Sequence, residues 1–270
     1  MDTTKLALNI LESLLHVPPA KLVGEAVDWA INRVNSMMEE EKEKRDEFKQ
    51  SVREMSDSEL RATFIPDVYQ KDIYCIDYQK LWDKGIRLLS YDIDDTIGDV
   101  FLHHIGNIVP GATITTYPEG KKAKELVERL HNIGFKVVLL TNAHQGIAKG
   151  TWEEIGADDY FEDAGKPETT AFYAFMEKYG FDKSQMAHVG NNIRQDVAGG
   201  NAAGVTTCLV RNNGFSMKVG KIILRAVNMR TKGHLLRVEL KKRGIWRKHH
   251  KFHKNDQYYQ LGETPLYKQH

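Results

Sequence analysis

The sequence predicts an α/β protein built on a doubly wound, Rossmann-like parallel sheet, with a helical extension before it and a basic extension after it. Three observations point there. From residue 86 to residue 210, short apolar runs alternate with helical patterns. Strands that alternate with helices in this way pair in parallel and are covered on both faces. Each apolar run also ends in small or polar residues, and the carboxyl ends of such strands are where these folds carry their chemistry. Finally, 41% of residues are hydrophobic and 28% are charged, the balance of a globular chain and not of a disordered one.

The elements follow in order. Residues 1–63 read as helical. Leu6, Leu8, Ile10, Leu11, Leu14 and Leu15 form an apolar face that Pro18-Pro19 interrupts. Val23, Ala26, Val27, Trp29, Ala30, Ile31 and Val34 form a second, which passes into a charge run at 39–47 that suits a solvated helix face. Strands are expected at 86–91, 136–140, 159–161, 186–189 and 205–210. Helices are expected at 120–133, 151–154, 169–179 and 196–203. The division is thus a helical extension (1–63), a core (64–216) and a basic extension (217–270).

At 270 residues the chain is long for one compact domain and short for two. Two cysteines, Cys75 and Cys208, exclude a disulfide framework and a cysteine-based zinc site. The apolar run at 6–15 contains Asn9, Glu12 and Ser13 and is too short and polar to span a bilayer or serve as a secretory signal. A cytoplasmic location is expected, with peripheral membrane contact as an option. The option comes from the charge: residues 217–270 hold 14 Lys or Arg against three acids, a balance of +11 in a chain whose net charge is +1. Such a tail suits an anionic partner.

The distinctive residues stand at the strand ends. The first run leads into Asp92-Ile93-Asp94-Asp95-Thr96 and the second into Thr141-Asn142. Lys166-Pro167 follows in a loop. The fourth run ends in Gly190-Asn191-Asn192-Ile193-Arg194-Gln195-Asp196. Carboxylates one residue apart can share a divalent ion and a leaving-group oxygen. A hydroxyl and backbone amides can hold phosphoryl oxygens, a lysine can neutralise them, and a further acid can complete a metal shell.

In order and spacing these motifs resemble the haloacid dehalogenase-like (HAD) superfamily of phosphatases, over about residues 86–210. The resemblance implies that Asp92 is the nucleophile, forming an aspartyl-phosphate, and that Asp94 is the general acid and then the base. It implies Mg²⁺ on the Asp92 carboxylate, the Asp94 main-chain carbonyl, Asn191 and Asp196. Thr141, Asn142 and Lys166 would bind the substrate phosphoryl group, with Thr141 and Lys166 also counted among the catalytic residues. The family usually has Asp directly after the glycine; here Asn191 supplies an amide oxygen without the charge.

The space between motifs leaves no room for a large cap, because 25 positions separate Thr141 from Lys166 and the spare segment 98–117 suits only a hairpin flap. An open site suits a large substrate. The lead-in at 66–77 and the stretch at 196–204 resemble the capless, phosphatidylglycerophosphate-phosphatase-type branch. A lipid phosphate and an unspecified small phosphate ester both remain open as substrate. In the tail, Val219, Ile222, Ile223, Ala226 and Val227 repeat at helical spacing beside Lys218, Lys221 and Arg225. This pattern suits either a helix packed on the core or one lying on an anionic membrane. The basic region 217–254, with Trp246 and Phe252 interleaved, suits lipid headgroups and, less well, nucleic acid. The expected function is a Mg²⁺-dependent phosphomonoester phosphatase acting on a phosphorylated substrate. The alternative is a weakly active or inactive module that binds an anionic partner through its basic tail.

Overall fold

A computed structural model describes residues 45–97, 118–142, 147–211, 232–246 and 258–263. Expectations for 1–44, for the flap at 98–117, for the 219–227 helix and for Phe252 lie outside the described residues.

The described chain begins with two helices, α1 (Arg45–Glu54) and α2 (Asp57–Phe64). Ser56 caps α2: its hydroxyl accepts from the Glu59 amide, and the Glu59 carboxylate accepts from the Ser56 amide. This reciprocal pair satisfies two otherwise unpaired backbone donors and fixes where the helix starts. Then follow β1 (Val68–Gln70), α3 (Tyr78–Asp83), β2 (Leu88–Tyr91), α4 (Pro118–Ile133), β3 (Lys136–Leu140) and α5 (Ile147–Ile155). After these come β4 (Asp159–Phe161), α6 (Thr170–Tyr179), β5 (Met186–Gly190), α7 (Ala198–Ala203), β6 (Thr206–Val210) and α8 (Lys232–Lys242).

Among the described residues the six strands form one parallel sheet, in the order β1-β6-β5-β2-β3-β4. The expected α/β doubly wound architecture is present. The chain winds outward from β2 through β3 to β4, then returns to β5 on the other side of β2. That reversal opens a crevice at the carboxyl ends of β2 and β5, where such sheets bind ligands. Alternation along the strands supplies both faces. In β3, Val137 and Leu139 enter the core under α3, α4 and α5, while Val138 and Leu140 enter the opposite one with Phe172, Phe175 and Met176 of α6.

The extensions are not appendages. Val52 of α1, Leu60 and Phe64 of α2, and Leu236, Leu240, Ile245 and Trp246 at and after α8 share one buried cluster with Tyr69 of β1 and Leu209 of β6. Arg243 ties them together, donating to the carbonyls of Met55 (2.6 Å) and Arg53 (2.7 Å) at the end of α1 and to Glu239 Oε1 (3.0 Å). The outer edge of β1 is closed by Tyr259, which exchanges two backbone hydrogen bonds with Tyr69 (3.0 and 2.9 Å). The boundaries drawn at 63/64 and 216/217 therefore cut through a shared core. Strand β1, in the lead-in at 66–77, was not among the expected strands. In the lead-in, Ile76 is buried and Tyr74 is 38% exposed.

Candidate active site

The crevice collects the motifs from four strand ends. Asp92 follows β2, and its amide still donates to Val189 O (2.8 Å), extending the ladder one residue past the strand. Its carboxylate is buried and held on both oxygens. Oδ1 accepts from Lys166 Nζ (2.8 Å) and Oδ2 from Thr96 Oγ1 (3.1 Å). Thr96 comes into reach because the chain turns over 94–97, with Asp95 in the left-handed region at φ 59°. Asp94, at the outside of that turn, is exposed.

Lys166 is enclosed and spends all three of its donors: on Asp92 Oδ1, on Asp196 Oδ1 (2.7 Å) and on Leu140 O (2.8 Å). Its backbone is clamped by Asn142, whose Oδ1 accepts from the Lys166 amide (2.8 Å) while Nδ2 donates to the Lys166 carbonyl (3.0 Å). Asn142 therefore orients Lys166, where the resemblance implied a contact with the substrate. Thr141, at the end of β3, is buried, with its amide donating to Phe161 O and its carbonyl accepting from Ala164 N.

Asp196 is drawn in by a π-type turn at Ile193–Val197. Its Oδ1 meets Lys166 and His188 Nε2 (3.3 Å), and its Oδ2 accepts from the Asn192 amide (2.8 Å). Both oxygens are thus engaged by protein donors. The geometry makes Asp196 the anchor of Lys166. The close approach needs Gly190: a Cβ there would lie 2.2 Å from Asp196 Cγ. Gly199 likewise lets α7 approach Pro167, whose Cα would lie 3.1 Å from an added Cβ. Asn191 Nδ2 donates to the Asp94 carbonyl.

Two carboxylates share one ammonium, and the surroundings decide which keeps the charge. Burial pushes Asp92 up to about 7; Lys166 opposes this, and the charges of Asp196 and Asp94 add to it. Burial acts on Asp196 in the same direction but is outweighed by Lys166 and His188, which hold its carboxyl well below the usual range. Lys166, whose charge burial disfavours, is kept above its ordinary value by the two acids.

A model of the haloacid dehalogenase-like hydrolase family matches residues 23–204. The chain belongs to that family. The match begins well before the expected core boundary at residue 64, in keeping with helices α1 and α2 being part of the fold. The expectation of a HAD-type phosphatase is met at the level of family and fold. The Bacillus subtilis (strain 168) protein called "Probable phosphatase YqeG" is 25% identical over 182 residues, 65% of this chain and 97% of that protein. Two solved structures are also similar. One is the cobalt-bound deoxy-D-mannose-octulosonate 8-phosphate phosphatase of Haemophilus influenzae (18% identity, 56% of this chain, 92% of that chain, TM-score 0.39). The other is the 3-deoxy-D-manno-octulosonate 8-phosphate phosphatase of Moraxella catarrhalis, solved with magnesium, phosphate and KDO (19% identity, 55% and 90%, TM-score 0.32).

For a divalent ion, the family's site offers the Asp92 carboxylate, the Asp94 carbonyl and the Asn191 side chain. Among the described residues no group of three or more His, Cys, Asp and Glu side chains converges as a metal cluster. The donor set is nonetheless all oxygen once the Asn191 amide turns to present Oδ1 in place of Nδ2, and all-oxygen sets are what Mg²⁺ takes. The residues fit the ion. Sequence reasoning assigned no role to Thr96, Ser90 or His188. The signal for the last two was there: each is a polar residue inside an otherwise apolar strand, two positions before a motif.

Proposed function

We propose that this HAD-family protein is a Mg²⁺-dependent phosphomonoester phosphatase that works through an aspartyl-phosphate on Asp92. The observation that supports this most is the carboxylate of Asp92, fixed through both oxygens by Lys166 and Thr96 at the carboxyl end of the central strand. A nucleophile so held needs no reorientation when the phosphoryl group arrives. An Asp92 oxygen attacks phosphorus as the ester P–O bond breaks, and exposed Asp94 gives its proton to the leaving alkoxide. The Asp94 carboxylate then takes a proton from water, the water oxygen bonds to phosphorus, and the bond to Asp92 breaks to release phosphate. Asn142 keeps the Lys166 backbone in register throughout. The Asp92 carboxylate, the Asp94 carbonyl and Asn191 would hold Mg²⁺, which would supply positive charge beside Asp92 and the phosphoryl oxygens.

The substrate class we infer is a phosphomonoester on a large or surface-bound molecule, with a lipid phosphate such as phosphatidylglycerophosphate as the leading example. The +11 balance of residues 217–270 supports it, since anionic headgroups attract such charge. The alternative of a weakly active or inactive binding module rests on Asn191, which brings no charge where the family usually has Asp.

The deciding experiment is phosphate release from p-nitrophenyl phosphate, lipid phosphates, nucleotides and sugar phosphates, with and without Mg²⁺. Asp92→Asn is expected to abolish turnover and Asp94→Asn nearly to do so, with circular dichroism unchanged. Substantial steady-state activity in Asp92→Asn would sink the mechanism. Wild-type protein that turns over none of these substrates with Mg²⁺ supports the binding module instead.

A further inference from the structure

Ser90 on β2 and His188 on β5 stand opposite each other in the sheet register. Both are enclosed, with 0% and 1% exposure. Ser90 Oγ lies 2.9 Å from His188 Nδ1, and His188 Nε2 lies 3.3 Å from Asp196 Oδ1. The imidazole packs edge-on against Phe172, with ring centroids 5.0 Å apart. A serine, a histidine and an aspartate in this order resemble a hydrolytic triad. Burial rules that out, because Ser90 Oγ faces no space that a substrate can enter.

Proton accounting shows what the arrangement does instead. Asp196, held ionised, only accepts, so Nε2 carries the hydrogen that faces it. In a neutral ring Nδ1 is then an acceptor, and the Ser90 hydroxyl donates to it. Burial, reinforced by the Lys166 charge, lowers the pKa of His188 against the pull of Asp196, which favours the neutral ring.

We propose that His188 is a positioning residue: by donating Nε2–H to Asp196, it fixes how Lys166 is shared between Asp196 and Asp92. The proposal rests on Asp92 as nucleophile. Lys166 has three N–H bonds and uses them on Asp92, Asp196 and the Leu140 carbonyl. Asp196 Oδ1 accepts from both Lys166 and His188, while Oδ2 is satisfied by the Asn192 amide. Without the imidazole hydrogen, Oδ1 depends on Lys166 alone. The ammonium then shifts toward Asp196, and the carboxylate of Asp92 loses the contact that aims it. A neutral donor does this without placing a second positive charge beside Lys166. Second-layer donors that orient a catalytic group in this way are known to matter as much as the group's direct contacts.

The test compares wild type with His188→Leu, His188→Gln, Ser90→Ala and Asp92→Asn. The readouts are steady-state kinetics on p-nitrophenyl phosphate with Mg²⁺, thermal unfolding, and ¹⁵N NMR of the histidine rings. His188→Leu is expected to lower kcat by about 10–100-fold while KM stays within about threefold. Gln can donate to Asp196 and accept from Ser90, so His188→Gln should recover most of kcat. In wild type the His188 ring should read as the neutral Nε2–H tautomer, and Ser90→Ala should move its Nδ1 resonance. Wild-type kcat in His188→Leu overturns the proposal, as does a Gln variant as slow as the Leu variant at equal Tm. An Nδ1–H tautomer, which leaves Nε2 with no hydrogen for Asp196, overturns it as well. If His188→Leu does not fold, Ser90→Ala replaces it, with a smaller fall in kcat expected and an unchanged kcat counting against the idea. Turnover retained by Asp92→Asn defeats the nucleophile assignment instead, and the ring tautomer then decides the Ser90–His188–Asp196 arrangement by itself.

Discussion

At Asn191 one atom stands for a whole charge. The amide nitrogen donates to the Asp94 carbonyl, a contact that a carboxylate cannot make. Asn191→Asp would set two acceptors against each other until a cation comes between them. A unit charge about 4 Å from an ion is worth about 4 kcal/mol at an effective dielectric of ~20, before desolvation is subtracted. The variant is therefore expected to unfold at a lower temperature than wild type in chelator, to gain more Tm from Mg²⁺, and to need less Mg²⁺ for half-maximal activity. A titration in which its Mg²⁺ requirement is unchanged or higher would show that the pocket has adapted to the amide. At this scale the sequence was informative about which residues meet and less so about what each does. The motifs located Asp92, Lys166 and Asp196, which converge on one ammonium. They did not reveal that Asn142 clamps a backbone or that Thr96 holds the Asp92 carboxylate. Those tasks depend on turn geometry, which no spacing encodes.

Asp158 shows how one side chain can join three elements. Its carboxylate accepts from Lys136 Nζ (2.8 Å) and the Val137 amide (2.8 Å) at the start of β3, and pairs with His131 (2.9 Å) at the end of α4, just before β4 begins. Burial alone would raise its pKa; the hydrogen bonds from Lys136, Val137 and His131 outweigh burial and lower it. A lowered carboxyl stabilises the fold above the ordinary carboxylate value of about 4, and that stabilisation fades as pH falls through the folded-state value. Asp158→Asn is expected to cost about 1 kcal/mol at pH 7, modest because Lys136 and His131 are substantially exposed. The gap should narrow from pH 7 to the lowest pH at which the protein stays folded, as the wild-type group progressively takes up its proton. Urea unfolding at both pH values measures it, and an equal gap at each would contradict the linkage. Among elements, β3 and β4 were read with correct ends because apolar runs of that kind have sharp edges. The helix expected at 196–203 instead starts with a π-type turn, since Asp196 must be delivered to Lys166 before the regular helix begins.

For the molecule as a whole, the charge asymmetry invites a test that the fold now constrains. A 1–216 truncation would strip Leu236, Leu240, Ile245, Trp246 and Tyr259 from a core shared with α1, α2 and β1. Charge reversal at Arg247, Lys248, Lys251 and Lys254 leaves those core residues in the chain. It is expected to weaken co-sedimentation with phosphatidylglycerol vesicles, and high salt should weaken wild-type binding in the same direction. Equal binding by both proteins at low salt would remove the membrane from consideration. No helix among the described residues is long and apolar enough to cross a bilayer. The closing of β1 by Tyr259 has a further consequence, for synthesis. The Tyr259 hydroxyl reaches the Pro66 carbonyl across 193 positions of chain. Because β1 joins the sheet only through β6, its free edge exists once Val210 has been made; at about 5–20 residues per second the ribosome then needs roughly 2–10 s to reach Tyr259. For that interval, a nascent chain that has already formed β1 carries an open strand edge, the kind of surface that pairs with other chains. Ribosome-bound chains halted before residue 258 should therefore be the aggregation-prone and chaperone-dependent species, and the last stretch of polypeptide acts as a latch that ends this exposure.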